Sequence, residues 1–175
     1  MSLDIITYPN KHLFLPSKEV ENFDSSLHTL LDNMYETMIQ GQGVGLAAIQ
    51  VDVPLKIFLA NPPNEQDEQT KETLLEIINP ELEFINDEKI LFTEGCLSIP
   101  GFYEEVQRNK NVYVKYQDRH GKYKELEASD FLAVILQHEF DHLNGKLFIE
   151  RLSYLKRQKF DKEFRKTQKN SKKAK

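Results

Sequence analysis

Two imidazoles lie four residues apart in the segment His138-Glu139-Phe140-Asp141-His142, and a carboxylate directly follows the first of them. On an α-helix, positions i and i+4 lie about 40° apart around the axis and one above the other, so both rings can face a single metal ion. Glu139 lies too far around the helix to be a comfortable ligand on that face, but its carboxylate can reach a metal-bound water. The pattern predicts a hydrolase that uses metal-activated water.

The residues around this motif predict a buried helix over residues 129–144. Ser129 is a good N-cap, Asp130 suits the positive end of the helix dipole, and Gly145 is a C-terminal stop signal. Apolar residues surround the helix almost completely, and they are Phe131, Leu132, Val134, Ile135, Leu136, Phe140 and Leu143. This distribution is typical of a buried helix, in which histidine and glutamate need partners. A shared metal would satisfy all three; the alternative is two histidines spaced this way by chance.

A catalytic site of this type needs a third protein ligand and one open position. In metzincin peptidases a further histidine follows the motif, but this chain carries Phe148 there. In thermolysin-like peptidases a downstream glutamate binds the metal, and Glu163 lies at a suitable distance. The single cysteine, Cys96, is the other candidate. A lone cysteine is commonly a small buried hydrophobe, but Gly95 and Ser98 beside it are not typical core residues.

Three segments resemble, in order and in approximate spacing, the signature motifs of peptide deformylases. They are Gly43-Val44-Gly45-Leu46-Ala47-Ala48-Ile49-Gln50, Glu94-Gly95-Cys96-Leu97-Ser98 and Gln137-His138-Glu139-Phe140-Asp141-His142-Leu143. The resemblance covers most of the chain and implies that Cys96, His138 and His142 bind a metal, with the fourth position left for water. It also implies Fe2+ as the usual ion. Zn2+, Ni2+ or Co2+ can substitute, because mixed nitrogen and sulfur ligands suit all four.

The resemblance further implies the reaction. The substrates would be N-formylmethionyl nascent polypeptides, and the products would be formate and a free amino terminus. A bound metal lowers the pKa of its water from about 15.7 towards 7. Glu139 would accept the proton and return it to the leaving amine, while the Gln50 side-chain amide and the Leu97 backbone N–H would stabilise the oxyanion. Glu94 is expected to be among the substrate-binding residues and to support the site in an ion pair with Arg108.

A substrate-binding wall is also implied by the resemblance. Gly43 and Gly45 would let a substrate main chain come close, and Gly45 would bind it as an added strand. Val44 would line the pocket for the methionine side chain. Three apolar residues that precede His138 on its helix would share this task, namely Phe131, Val134 and Ile135.

The composition fits one domain of ordinary size, since 39% of the 175 residues are hydrophobic and 29% are charged. No apolar run approaches the roughly 20 residues needed to cross a bilayer. The amino terminus lacks the basic and long apolar regions of a secretion signal. One cysteine excludes an internal disulfide, and a thiolate ligand is safest in a reducing compartment. We therefore expect a cytoplasmic protein of a bacterium.

The carboxy-terminal segment is strongly basic. Residues 154–175 contain ten Lys and Arg against two acids, a net charge of +8, so the first 153 residues carry −13. A basic segment on an acidic body could bind RNA phosphates, and the resemblance points to the ribosome, whereas a solvated helix is the alternative. No membrane or DNA partner is expected. We predict one domain over residues 1–165, with a C-terminal helix anchored by Leu155, Phe160 and Phe164, and a disordered tail over 166–175.

Periodicity and turn signals predict the scaffold. Asp24 is expected to cap a helix over residues 25–40 with one buried stripe. Strand candidates are residues 55–60, 74–78, 90–92, 112–116 and 122–127, the last two flanking a hairpin turn, and residues 61–72 read as a loop. The predicted fold class is α+β, with antiparallel sheets packed around a central HExxH metal-binding helix, an N-terminal helix and a C-terminal helix.

Two other functions are open at this point. A zinc endopeptidase with Glu163 as third ligand would cleave internal peptide bonds and be indifferent to a formyl group. A catalytically inactive module that binds the ribosome through its basic tail would release no formate from formyl-Met-Ala-Ser. The three motifs together favour a deformylase over the endopeptidase and over the inactive module.

Overall fold

The N-terminal helix begins and ends where the sequence predicts. A computed structural model of the chain describes the backbone of residues 1–173 and the side chains as far as residue 170. The carboxylate of Asp24 caps helix α1 (Ser25–Gln40) by accepting hydrogen bonds from the N–H groups of Ser26 and Leu27, at 3.0 and 3.1 Å. These N–H groups have no partner within the first turn, so the cap stabilises the helix.

Two antiparallel sheets form the β part of the fold. The strands are β1 (Gly45–Ala47), β2 (Ile57–Ala60), β3 (Leu75–Phe84), β4 (Lys89–Cys96), β5 (Ile99–Asn109), β6 (Asn111–Gln117) and β7 (Tyr123–Ser129). The larger sheet has the strand order β1-β2-β3-β6-β7, and the smaller pairs β4 with β5. β1 is therefore an edge strand, and only residues 97–98 separate β4 from β5. Antiparallel sheets with three α-helices confirm the predicted α+β class.

Strand β2 explains how the larger sheet is covered on both faces. All four of its residues are buried. Phe58 and Ala60 belong to a hydrophobic cluster shared with the HExxH helix, whereas Ile57 and Leu59 belong to a cluster shared with α1. Successive side chains of a strand point to opposite faces, so a continuously apolar strand needs cover on both. The sheet consequently lies between the two helices.

Helix α2 (Asp130–Leu143) carries the HExxH motif and is mostly buried. It contacts all seven strands. Ser129 occupies the N-cap position as predicted, although its side chain makes no capping hydrogen bond. Asn144 is the C-cap, and Gly145 follows with φ +67°. Gly145 therefore ends the helix in the left-handed conformation that glycine adopts readily.

Helix α3 (Tyr154–Lys173) closes the described chain. Phe160 is 1% exposed and lies in a third hydrophobic cluster, against which Phe164 packs, so both predicted anchors are confirmed. The predicted anchor Leu155 is wrong, because it is 75% exposed and lies well around the helix from Phe160. None of the described helices is long and apolar enough to cross a membrane.

The basic end of the chain differs from the disordered tail expected from residue 166. Helix α3 continues to Lys173. Lysine, arginine and glutamine are favourable helix formers, so a basic composition alone does not end a helix. The last part of the expected tail, residues 174–175, lies outside the described residues.

Two strands were not predicted from the sequence. β5 is the longest strand, but Pro100 and Gly101 near its start hide its pattern. β1 lies within the glycine-rich first motif, where the sequence indicates a loop. Both strands border the cavity described below. Away from the cavity, the predicted strand over residues 74–78 ends six residues before β3 does.

Replacing Gly145 by alanine should destabilise the protein more than the same change at Gly101. Both residues have positive φ, but a Cβ at Gly145 would overlap the backbone of Phe14, whereas nothing lies within 4 Å of one at Gly101. We expect a loss of about 1 kcal/mol for Gly101→Ala from backbone strain, and about 2–4 kcal/mol for Gly145→Ala from strain plus overlap. Urea unfolding measures both, and equal losses would contradict the close contact with Phe14.

Candidate active site

A cavity of about 330 Å³ opens between β1, the end of β4 and helix α2. Its walls include twelve of the thirteen site residues predicted from the sequence, which are Gly43, Val44, Gly45, Gln50, Glu94, Cys96, Leu97, Phe131, Val134, Ile135, His138 and Glu139. The thirteenth, His142, is 1% exposed and lies beside Cys96. The chain thus brings together residues that are up to 99 positions apart in the sequence.

Three potential metal ligands meet at one side of this cavity. Cys96 ends strand β4, and His138 and His142 lie one turn apart on α2. Their ligand atoms all lie within 4.8 Å of one another, and Cys96 Sγ is 3.4 Å from His142 Nε2. Bonds from zinc to cysteine and histidine are about 2.0–2.3 Å long, so one ion can reach all three donors. Glu163, the alternative third ligand, is exposed on α3 and lies outside this group.

Glu94 fixes the orientation of the first histidine. Its Oε2 lies 2.8 Å from His138 Nδ1. A proton on Nδ1 donates to this carboxylate, which leaves Nε2 free as a metal ligand. Burial alone would raise the pKa of Glu94, but hydrogen bonds from Arg108 and His138 lower it to about 2. Glu94 is therefore a carboxylate at neutral pH.

The charge of Glu94 belongs to a larger buried network. Arg108 Nε and Nη2 donate to the two Glu94 oxygens at 2.7 and 2.9 Å, which confirms the predicted ion pair. Arg108 Nη1 donates to Asp141 at 2.6 Å, and Arg151 donates to the same carboxylate from the protein surface. Asp141 is thus a support for Arg108 on the far side from the cavity.

The cysteine and histidine cluster suits a cation. Burial lowers the pKa of His138, but hydrogen bonds with Cys96 and Glu94 raise it well above its ordinary value. Burial and the positive charges of His138 and Arg108 lower the pKa of His142 well below its ordinary value. Without a metal, the positive charge in the cluster therefore lies on His138, and the His142 imidazole beside it is neutral. Two nitrogens and one sulfur form a donor set that fits Zn2+, Fe2+, Co2+ or Ni2+.

Glu139 is aimed into the cavity next to the main chain of β1. A Cβ at Gly45 would overlap the Glu139 carboxylate, so this approach requires glycine. Glu139 is 4% exposed, and its Oε2 is buried without a hydrogen-bond partner. Burial, with a contribution from the charge of Glu94, raises the pKa of Glu139 to about 7. A carboxyl group with this pKa can both accept and release a proton near neutral pH.

The side chain of Gln50 is fixed with its donor end towards the cluster. Its Oε1 accepts a hydrogen bond from the Ala47 N–H at 2.9 Å. Its Nε2 consequently points to Cys96 Sγ, 3.5 Å away, and to Ser98 Oγ, 3.2 Å away. Leu97 lies in the short turn after Cys96. Amide donors therefore lie close to the cluster on the β4 side.

The free edge of β1 faces the cavity at Gly45. The Asn61 N–H donates to the Val44 carbonyl at 2.8 Å, and Leu46 lies opposite Leu59 in the antiparallel register. Because successive residues of a strand direct their N–H and C=O groups to opposite sides, those of Gly45 point away from β2. Gly45 can therefore pair with an added extended peptide.

Apolar side chains line the rest of the cavity. The predicted Val44, Phe131, Val134 and Ile135 are joined by Phe92 and Tyr103, which were not predicted. Phe92 stacks on Phe131 with ring centroids 5.0 Å apart, and it shares a strand face with Glu94, a signal present in the sequence. Tyr103 packs against Gly95, where a Cβ would meet its ring. No sequence signal pointed to Tyr103, because β5 itself was not predicted.

Comparison with known proteins places this geometry in a family. The sequence model of the family described as polypeptide deformylase matches residues 2–158. A peptide deformylase from Campylobacter jejuni is 64% identical over 171 residues, covering 98% of both chains. The crystal structure of a peptide deformylase from Ehrlichia chaffeensis superimposes with a TM-score of 0.87 at 40% identity, covering 98% of this chain and 99% of that one. A crystal structure of peptide deformylase from Ehrlichia chaffeensis in complex with actinonin gives a TM-score of 0.85 at 42% identity, covering 95% of this chain and 98% of that one. This chain therefore belongs to the polypeptide deformylase family.

Proposed function

We propose that this cavity hydrolyses the formamide of N-terminal formylmethionine on newly synthesised polypeptides and releases formate. Membership of a metal-dependent deformylase family makes the chain a hydrolase of protein biosynthesis that acts on formylated nascent peptides. The observation that carries the site assignment is the meeting of Cys96, His138 and His142 beside the carboxylate of Glu139. We further propose that α2, which touches every strand, is the central element around which both sheets pack.

Cys96, His138 and His142 are the proposed ligands of one divalent metal, with Fe2+ as the native ion and Zn2+, Ni2+ or Co2+ as substitutes. When bound, such an ion supplies a water of lowered pKa and polarises the carbonyl oxygen. The buried carboxylate of Glu94 holds His138 in the tautomer that presents Nε2. The mixed nitrogen and sulfur donors support this assignment.

Glu139 is the proposed general base and acid. Its raised pKa suits a group that takes a proton from the attacking water. The same carboxyl group then gives that proton to the amine nitrogen as the bond to the formyl carbon breaks. Contact with the main chain of Gly45 fixes the carboxylate, so it does not have to be oriented at the moment of reaction.

Gln50 and Leu97 are the proposed stabilisers of the negative charge that develops on the formyl oxygen. The Gln50 amide is fixed by Ala47 and directs its N–H groups towards Cys96. The backbone N–H of Leu97 belongs to the turn directly after that ligand. Losing one such donor typically costs about 3 kcal/mol of transition-state stabilisation.

The substrate is proposed to bind as an extended strand on the free edge of β1. Gly45 offers its N–H and C=O groups to the main chain of the peptide. Val44 and three residues of α2 form an apolar pocket for the methionine side chain, and these three are Phe131, Val134 and Ile135. Gly43 borders the same edge. Glu94 lines the cavity, but its carboxylate is already bonded to Arg108 and His138, so we assign it to holding the site.

The endopeptidase alternative is not favoured. It requires Glu163 as a ligand, and this side chain is exposed on α3, whereas Cys96 is close to both histidines. The cavity also matches a substrate with one methionine at its start, because its apolar part lies next to the proposed metal cluster.

We also propose that residues 1–165 form one domain and that the protein lies in the bacterial cytoplasm.

Helix α3 is proposed to contact the ribosome. The side chains of Lys162, Arg165, Lys166 and Lys169 are exposed on this helix. A row of exposed cations can bind RNA phosphates, and this attraction weakens as salt concentration rises.

Replacing Cys96 by alanine should bring metal occupancy close to zero, because only two protein donors remain. Metal content after anaerobic loading with Fe2+ and desalting measures this directly. His12→Ala is the control. The His12 imidazole is exposed, bonds to Asp52 and does not belong to the metal cluster. Full occupancy of Cys96→Ala would contradict the ligand assignment.

Replacing Glu139 by glutamine should preserve metal binding and lower kcat about 10²–10⁴-fold, since the amide cannot shuttle the proton. The rate of formate release from formyl-Met-Ala-Ser is the measurement. Glu163→Gln should behave as the wild type in both metal content and rate. Metal loss in Glu163→Gln would instead favour the endopeptidase.

A further inference from the structure

The loop between β2 and β3 contacts the proposed substrate edge through one side chain. Gln69 Nε2 donates to the Gly43 carbonyl at 3.0 Å and to the Asn61 carbonyl at 2.7 Å. Gln69 and Gly43 are 26 residues apart in the sequence. Both hydrogens of the amide are therefore used to join this loop to the segment that enters β1.

Asn61 makes a second connection at the same place. It is fully buried, and its N–H donates to the Val44 carbonyl at 2.8 Å. Its side-chain Oδ1 accepts a hydrogen bond from Thr73 Oγ1 at 2.8 Å. The loop consequently binds two successive carbonyls of the glycine-rich segment, those of Gly43 and Val44.

Gly43 is also held on its amino side. Its N–H donates to the Met38 carbonyl at the end of α1, at 2.9 Å. The preceding residue, Gln42, has φ +57°, so the chain turns sharply as it leaves the helix. With α1 fixing the N–H and Gln69 fixing the C=O, the peptide groups on both sides of Gly43 are oriented before β1 begins.

This segment has little room to move on the cavity side. A Cβ at Gly43 would lie 2.8 Å from the side chain of Leu97, and one at Gly45 would overlap the carboxylate of Glu139. The main chain is thus packed directly against two proposed catalytic residues. A shift of this edge would therefore move the main-chain groups of Gly45 that are proposed to bind the peptide, and binding of the peptide would weaken.

A closed turn over residues 64–68 fixes the position of Gln69. Asn64 Oδ1 accepts hydrogen bonds from the N–H groups of Gln66 and Glu68, each at 2.9 Å, and the Asn64 N–H donates to the Glu68 carbonyl at 2.9 Å. This closed turn ends immediately before Gln69. The neighbouring Gln66 is exposed at the surface of the same turn and provides a matched control.

We propose that Gln69 is a positioning residue for peptide substrates, which fixes the free edge of β1 by bonding the Gly43 carbonyl to the loop over residues 61–74. The proposal rests on the assignment of Gly45 to the substrate main chain. Gln69 touches neither substrate nor metal. It acts on the affinity for the peptide by holding Gly43 and, through it, the N–H and C=O of Gly45.

The test compares Gln69→Ala, Gln69→Glu and Gln66→Ala as Fe2+-loaded enzymes with formyl-Met-Ala-Ser. Gln69→Ala removes both hydrogen bonds of the amide, and loss of the one to the Gly43 carbonyl should raise KM about threefold to tenfold. Gln69→Glu should raise it further, because its carboxylate would face two carbonyl oxygens. In both variants kcat should stay within about twofold of the wild type, with unchanged metal content, and Gln66→Ala should match the wild type throughout.

A purely structural role would lower the melting temperature without moving KM, and that result would overturn the proposal. Unchanged KM in both Gln69 variants, or a loss of metal content, would overturn it as well. Two methylated substrates separate the two levels of inference, namely formyl-Met-Ala-Ser methylated at the main-chain nitrogen of either Ala or Ser. Successive N–H groups of an extended peptide point to opposite sides, so one of the two substrates should show a raised KM with the wild-type enzyme if the β1 edge binds the peptide main chain. An unchanged KM for both would remove the substrate edge and the Gln69 proposal together, whereas wild-type kinetics in the Gln69 variants alone would remove only the latter.

Discussion

The buried ion pair between Glu94 and Arg108 fixes the geometry on which the site depends. Each side chain is 3% exposed, and Glu94 also accepts the Nδ1 proton of His138. Glu94 lies on β4, Arg108 on β5, and Asp141, the second partner of Arg108, on α2. The network thus joins the smaller sheet to the HExxH helix. Removing one partner of such a buried pair typically costs about 3–5 kcal/mol, because an uncompensated charge remains.

A second constraint is the close packing of the main chain at the start of β1 against the side chains of Leu97 and Glu139. Gly43 and Gly45 lack side chains where Leu97 and Glu139 need the space. The same absence of side chains leaves an open strand edge for a peptide. In the proposed mechanism, one wall supplies charge and proton transfer and the other supplies a template for the main chain of the peptide, with apolar residues between them. This division of tasks explains why the cavity needs edges from two different sheets.

The sequence predicted those parts of the protein whose signals are local. Asp24 and the stripe after it defined α1 to the residue, and the spacing of His138 and His142 required a helix. Cys96 could not be chosen over Glu163 by spacing, and resemblance to a family was needed. Strand β5 was not predicted at all, because Pro100 and Gly101 interrupt the alternation of apolar and polar residues near its start. The pairing of β5 with β4 is nevertheless formed.

Contacts that depend on the tertiary fold could not be predicted from the sequence. Tyr103 enters the cavity only because β5 folds back on β4, and the proposed role of Gln69 depends on a loop that returns to a segment 26 residues earlier. Leu155 is apolar and lies near the two true anchors in the sequence, but its side chain is exposed. Hydrophobicity indicates what can be buried, while the position around the helix axis decides what is.

We infer that the Glu94 and Arg108 network presents Cys96, His138 and His142 to a single divalent ion. Titration of the metal-free protein with Co2+ under anaerobic conditions, followed by absorption spectroscopy, detects this ligand set. A near-ultraviolet thiolate-to-cobalt charge-transfer band should appear and saturate at one equivalent of metal. A spectrum that lacks this band, with cobalt bound or not, would contradict the claim, because Cys96 would then not be a ligand.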